Sequence, residues 1–124
     1  MIRKVLIAED EPNIVASLEF LLRRSNYEVR IARDGDEALR LVESFTPHLV
    51  LLDVMMPRRS GFEVCRSIRG NPACRGMKVV MLSAKGRDSD VDEGLGVGAD
   101  AYITKPFSTQ ALLVQVRELL GEHA

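Results

Sequence analysis

The sequence predicts an α/β fold, doubly wound, in which five strands alternate with five helices, a (βα)5 sandwich around a parallel sheet. Two observations lead there. Short unbroken apolar runs recur along the chain: Val5-Leu6-Ile7-Ala8, Leu49-Val50-Leu51-Leu52, Val79-Val80-Met81-Leu82 and, more weakly, Ala101-Tyr102-Ile103-Thr104. Such runs belong to strands covered on both faces, as in a parallel sheet. Between them, apolar residues fall three and four apart, the spacing of a helix with one buried face.

Taken in order, Asp10 is suited to cap a helix that opens on Pro12 and turns Ile14, Leu18, Leu21 and Leu22 to one side, with Asn26 closing it. Tyr27-Glu28-Val29-Arg30-Ile31 alternates apolar and charged residues, so the second strand has one face in water and lies at an edge. Asp34 with Glu37 makes a start resembling a capping box, followed by Ala38, Leu41, Val42 and Phe45, and Pro47 stops that helix. Ser60 opens a third helix with Phe62, Cys65 and Ile68 inward, and residues 70 to 76 form a loop. A fourth helix is expected at about 89 to 97, anchored by Val91 and Leu95. Gly94 and Gly96 each weaken it by about 1 kcal/mol relative to Ala, so it is the element most easily displaced. Ser108 opens the last helix, with Leu112, Val116, Leu119 and Leu120 as its buried stripe. Right-handed crossovers, with the second strand at an edge, then favour the five-stranded parallel order 2-1-3-4-5, a flavodoxin-like arrangement.

At 124 residues the chain fits a single domain, 1–124, with no repeat, low-complexity stretch or linker. A hydrophobic share of 46% with a net charge of −1 describes a soluble globular protein and gives no reason to expect nucleic-acid binding. No apolar run is long enough to span a membrane and no signal-peptide pattern precedes the first strand, so a cytoplasmic protein is expected. Cys65 and Cys74 make neither a disulfide framework nor a zinc site, and read as a buried thiol and a loop thiol.

In open α/β sheets ligands bind beyond the carboxyl ends of the strands, near the point where strand order reverses. After the first strand come Glu9, Asp10 and Glu11; after the third, Asp53; after the fourth, Ser83; after the fifth, Lys105-Pro106-Phe107. Crowded carboxylates repel, and a divalent cation resolves the conflict. Mg2+ suits such a site because it takes hard oxygen ligands and only one or two carboxylates, here Asp10 and Asp53. Asp53, ending a buried strand, is the best-placed nucleophile, since a carboxylate can attack phosphorus to form an acyl phosphate. The metal, the Lys105 ammonium and the Ser83 hydroxyl would share the charge on the phosphoryl oxygens.

Several segments, in this order and spacing, carry a resemblance: Val5-Leu6-Ile7-Ala8-Glu9-Asp10-Glu11-Pro12, Leu51-Leu52-Asp53-Val54-Met55-Met56-Pro57, Gly61-Phe62-Glu63-Val64, Met81-Leu82-Ser83-Ala84, and the stretch from Gly98 through Lys105-Pro106-Phe107. The chain resembles, end to end, the receiver domain of two-component response regulators, and is similar to the single-domain chemotaxis regulator. The resemblance implies a phosphorelay signalling role rather than an enzyme: Asp53 accepts a phosphoryl group from a sensor histidine kinase or phosphotransfer protein. It also implies that Glu9, Asp10, Asp53 and the Met55 backbone carbonyl arrange Mg2+, and that Ser83 and Lys105 hold the phosphoryl oxygens. Ser83 and Tyr102 would act as the switch, remodelling the face of the fourth helix, fifth strand and fifth helix. Through that face a downstream target or a second copy would bind, the chain being a monomer or weak dimer. Lys105-Pro106 would be a cis bond.

Glu9 stands where the family more often has Asp, so its longer side chain bears on whether it meets the metal directly or through water. The resemblance implies that Met55 and Lys85, two residues beyond Asp53 and Ser83, flank the path of the attacking water; an apolar Met55 would position no water and lengthen the life of the phosphorylated form. Arg58-Arg59 is a small basic spot beside the acidic pocket, either a surface for an acidic patch on a kinase or a solvated turn. Three other readings compete less well. A dehalogenase-type phosphatase needs a second Asp where Met55 stands. A nucleotide- or flavin-binding protein needs a phosphate loop after the first strand, and Gly94-Leu95-Gly96-Val97-Gly98 is wrongly spaced and placed. An interaction module without chemistry would not need the complete set of polar groups.

Overall fold

The computed structural model describes residues 2–84 and 96–122. Five strands, β1 (Lys4–Ala8), β2 (Glu28–Ala32), β3 (Leu49–Asp53), β4 (Lys78–Ala84) and β5 (Ala101–Lys105), form one parallel sheet in the order β2-β1-β3-β4-β5. The helices among the described residues are α1 (Pro12–Arg24), α2 (Gly35–Phe45), α3 (Gly61–Arg69) and the C-terminal α4 (Thr109–Leu119). The helix expected at 89 to 97, with Val91, Gly94 and Leu95, lies almost wholly outside the described residues, as does Lys85. Among the described residues no helix is long and apolar enough to cross a membrane.

Because successive strand residues point to opposite faces, the continuous apolar runs fill two cores at once. Leu6, Ala8, Val50, Leu52, Val79 and Met81 pack under α2 and α3 against Ala38, Val42, Phe62, Cys65 and Ile68. Val5, Ile7, Leu49, Leu51, Val80 and Leu82 pack under α1 and α4 against Leu18, Leu22, Leu112 and Val116. Each fully buried Leu or Val is worth roughly 2 kcal/mol of transfer free energy, so a charge in the middle of β1, β3 or β4 would be costly on either face. The alternating β2 sits at the edge as expected, with Val29 buried and Glu28 and Arg30 exposed.

The helix starts correct one expectation. Asp10 does not cap α1; Glu11 does, its Oε2 accepting the Ile14 amide at 2.9 Å. With Pro12 at the first helical position, the residue immediately before it has the extended backbone of a cap, and a glutamate is long enough to reach the third amide. Asp10 is left with its side chain exposed beyond the end of β1. At α2 the expected cap holds, with Asp34 Oδ1 accepting from the Glu37 amide at 2.8 Å, while Glu37 reaches back to the amide of Arg33 rather than Asp34. Ser60 and Glu63 form a full capping box on α3, and Ser108 caps α4.

The segment expected as a loop at 70 to 76 contains a 3-10 turn, Pro72–Cys74. Cys74 is the loop thiol expected, and it is buried there, in one core cluster with Val42 and Met77. Asn26 ends α1 with a left-handed φ of 70°, a conformation that Asn adopts more readily than most residues.

Candidate functional site

The parallel register brings the carboxyl ends of the strands together: Ala8 pairs with Leu52, Asp53 with Leu82, and Ala84 with Lys105. The residues just beyond β1, β3, β4 and β5 are therefore gathered at one end of the sheet. Glu9 is fully buried; its amide continues the ladder to Ala32 O at 3.0 Å. Its Oε2 accepts the amides of Asp10 and Glu11, both at 3.1 Å, and its Oε1 accepts from Lys105 Nζ at 2.7 Å.

Asp53 is the last residue of β3 and is buried. Its Oδ1 receives the Met55 amide at 3.3 Å and lies 3.2 Å from Lys105 Nζ. Glu9, Asp10 and Asp53 each offer a carboxylate oxygen within 4.8 Å of the others. Burial, and next the charge of Glu9, push the Asp53 carboxyl up to about 6, against the opposing pull of Lys105 and the Met55 amide. Burial works against the Lys105 ammonium, yet its hydrogen bond to Glu9 and the charges of Asp53 and Glu9 outweigh it, and its pKa is raised. One ammonium is thus shared between two buried carboxylates, with a third, exposed one beside them. Such a donor set, all hard oxygen and short of positive charge, fits Mg2+.

Ser83, near the end of β4, is buried one residue beyond Asp53's register partner Leu82. Tyr102, on β5, is set back from this cluster: it pairs with Met81 of β4, packs against the α2–α3 core, and its hydroxyl oxygen is enclosed. The bond between Lys105 and Pro106 is cis, as expected. Met55 contributes its backbone to the site while its side chain is exposed.

The segment between β3 and α3 holds partners that local sequence patterns miss. Arg58 and Arg59 are exposed, as in the solvated turn expected, and each also stands beside an acidic residue: Arg58 Nε lies 3.5 Å from Asp34 Oδ2, and Arg59 Nε 2.7 Å from Asp36 Oδ1. Arg58 takes a left-handed φ of 72°, a conformation that costs a non-glycine residue about 1–2 kcal/mol. Opposite charges in the two segments, Asp34 and Asp36 against Arg58 and Arg59, were the available signal, but nothing local says that two segments so far apart in sequence meet.

A second such arrangement joins α3 to the start of β5. Arg69 donates to Gly98 O and Met77 O, both at 2.7 Å, and its Nη2 reaches Asp100 Oδ2 at 2.5 Å. Asp100 Oδ2 also accepts the Val79 amide at 2.8 Å.

A family model described as the response regulator receiver domain matches residues 5–117. A putative response regulator from Chloroflexus aurantiacus J-10-fl superposes with a TM-score of 0.93 at 33% identity, covering 98% of this chain and 100% of that one. The chemotaxis protein CheY4 of Vibrio cholerae, at 29% identity, gives a TM-score of 0.89 over 96% of this chain and 99% of that one. The receiver domain of the sensor histidine kinase PA1611 from Pseudomonas aeruginosa PAO1, whose structure has a magnesium ion coordinated in the active site cleft, gives 0.89 at 27% identity, covering 98% and 100%.

Proposed function

This chain belongs to the response regulator receiver family and serves two-component phosphorelay signalling, and from that premise we propose that Asp53 is its phosphoacceptor. The observation that carries the reading is the Asp53 carboxylate itself. It is buried at the end of β3, beside the shared Lys105 ammonium, within reach of two further carboxylates.

In the proposed transfer an Asp53 oxygen forms the new O–P bond as the N–P bond of a donor phosphohistidine breaks, and the electron pair stays on the imidazole nitrogen. Lys105, already 3.2 Å from Asp53 Oδ1, holds one phosphoryl oxygen, and the Ser83 hydroxyl another. Asp10, Asp53 and the Met55 backbone carbonyl would hold Mg2+, with Glu9 behind them. The ion would supply positive charge opposite the incoming phosphoryl oxygens. Glu9, with Oε2 taken by two backbone amides and Oε1 by Lys105, fits an orienting role better than direct ligation.

The donor is a sensor histidine kinase or a phosphotransfer protein. Ser83 and Tyr102 form the switch, and the message leaves through the face made by the expected fourth helix, β5 and α4, to a downstream partner or a second copy. The unit that does this is the single domain 1–124, working in the cytoplasm as a signalling protein rather than as an enzyme on a separate substrate.

Incubating the protein with a small acyl phosphate and Mg2+, beside Asp53→Ala, tests the assignment by intact mass. One phosphoryl adduct on the starting protein and none on the variant is expected. No adduct on the starting protein would instead favour an interaction module that has kept the fold without the chemistry.

A further inference from the structure

The loop between Asp53 and α3 is gripped from the side by the start of α2, an element with no part in the phosphoryl transfer itself. Three observations define the grip. The Gly35 amide donates to Pro57 O at 3.2 Å. Gly35 lies so close to the loop that a Cβ there would run into the backbone carbonyl and Cβ of Arg59. Asp36, the next residue, holds Arg59 Nε at 2.7 Å, while Asp34 stands 3.5 Å from Arg58 Nε.

At its other end the loop is fixed just as closely. The Val54 amide donates to Leu82 O and the Gly61 amide to Val54 O, both at 2.9 Å, and a Cβ on Gly61 would meet the Asp53 carbonyl. Between these two anchors stands Met55, its amide on Asp53 Oδ1. The position of the Met55 backbone is therefore set by a loop with little freedom, and one of its two anchors belongs to α2.

We propose that Gly35, Asp36 and Arg59 are positioning residues for the phosphoacceptor site. By pinning the loop to the α2 N-terminus, they fix the Met55 backbone at the distance from Asp53 and Asp10 that a small, hard divalent cation requires. The inference rests on the proposed Mg2+ site and adds the residues that set its geometry. Mg2+ discriminates strongly on geometry, so a loop displaced by a few tenths of an ångström loses affinity even though every ligand remains. The Arg59–Asp36 pair is half exposed, so its contribution to global stability is small, which separates positioning from folding.

The test titrates Mg2+ alone into the unphosphorylated protein, following the Met55 and Gly61 amides by NMR, for the starting protein and for Gly35→Ala, Asp36→Ala, Arg59→Ala and Arg59→Lys. Gly35→Ala should weaken Mg2+ binding about tenfold. Asp36→Ala and Arg59→Ala should each weaken it about threefold, with no further loss when combined. Arg59→Lys should recover part of the loss, and thermal midpoints without Mg2+ should stay close together for the two alanine variants of the pair. Mg2+ affinities within twofold of the starting protein for all three disruptive variants would overturn the proposal while leaving the phosphoacceptor reading intact. A starting protein that binds no Mg2+ would overturn both.

Discussion

Lys105 Nζ lies 2.7 Å from Glu9 Oε1, closer than the 3.2 Å that separates it from Asp53 Oδ1. The lysine of the site is thus bound first to a buried glutamate and only then to the proposed phosphoacceptor. Glu9→Gln removes the negative charge that, after burial, does most to raise the Asp53 pKa. The Asp53 carboxyl of the metal-free variant should therefore titrate below the value of about 6 in the starting protein. Carboxyl carbon NMR reads this directly, and an unmoved or higher pKa would show that Glu9 acts mainly by holding Lys105.

The same shift sets a pH dependence. Asp53 is raised from 3.8 to about 6 in the fold, so its contribution to stability is full below the unfolded value and lost as pH rises through about 6. Without Mg2+, Asp53→Asn should stabilise the protein by on the order of 3 kcal/mol near pH 8 and by almost nothing below about pH 4. Denaturant melts at the two pH values decide it; equal gains at both would sink the account.

Only the ionised Asp53 can bind a cation or attack phosphorus. The Mg2+ affinity of the metal-free protein should therefore be level above about pH 6 and fall about tenfold per unit below it. A profile that stays flat well into acid would mean that Asp53 carries no raised pKa.

Asp100→Ala removes the acceptor of both the Val79 amide and the Arg69 guanidinium. With the amide group part-buried, a loss of about 1–3 kcal/mol is expected in chemical denaturation. A change under about 0.5 kcal/mol, the size of an ordinary surface substitution, would show the contact to be incidental.

Met55 stands two residues beyond Asp53, is 60% exposed, and offers only a weakly accepting thioether with which to hold a water. Met55→Asn should shorten the life of the phosphorylated form severalfold, timed by intact mass after the donor is removed. An unchanged decay would leave Met55 as loop surface.

The local sequence was enough for the strands, the edge position of β2, most of the helix stripes among the described residues, and the place of Asp53 at the end of a buried strand. Each of these follows from periodicity or from position at the end of a strand, which depend on neighbours a few residues away. The flanking residues of the α1 stripe, Ile14 and Leu21, came out only half buried, with Val15 taking the inner position, because the exact rotation of a helix is set by what it packs against.

Side chains that act across the fold were decided by the tertiary structure alone. Asp10 had the chemistry of a cap, but Pro12 at the first helical position and the reach of a glutamate gave the role to Glu11. Glu9 and Lys105 are 96 residues apart, and only the parallel register of β1, β3, β4 and β5 closes that distance to a hydrogen bond. Likewise, Arg59 became a partner of Asp36 only because α2 and α3 pack side by side on one face of the sheet. The sequence by itself determined which polar residues stand at the carboxyl ends of the strands, because strand and helix patterns are local. Which of them touch was left to the crossing of distant segments, because charge pairs and close glycine contacts have no period to read.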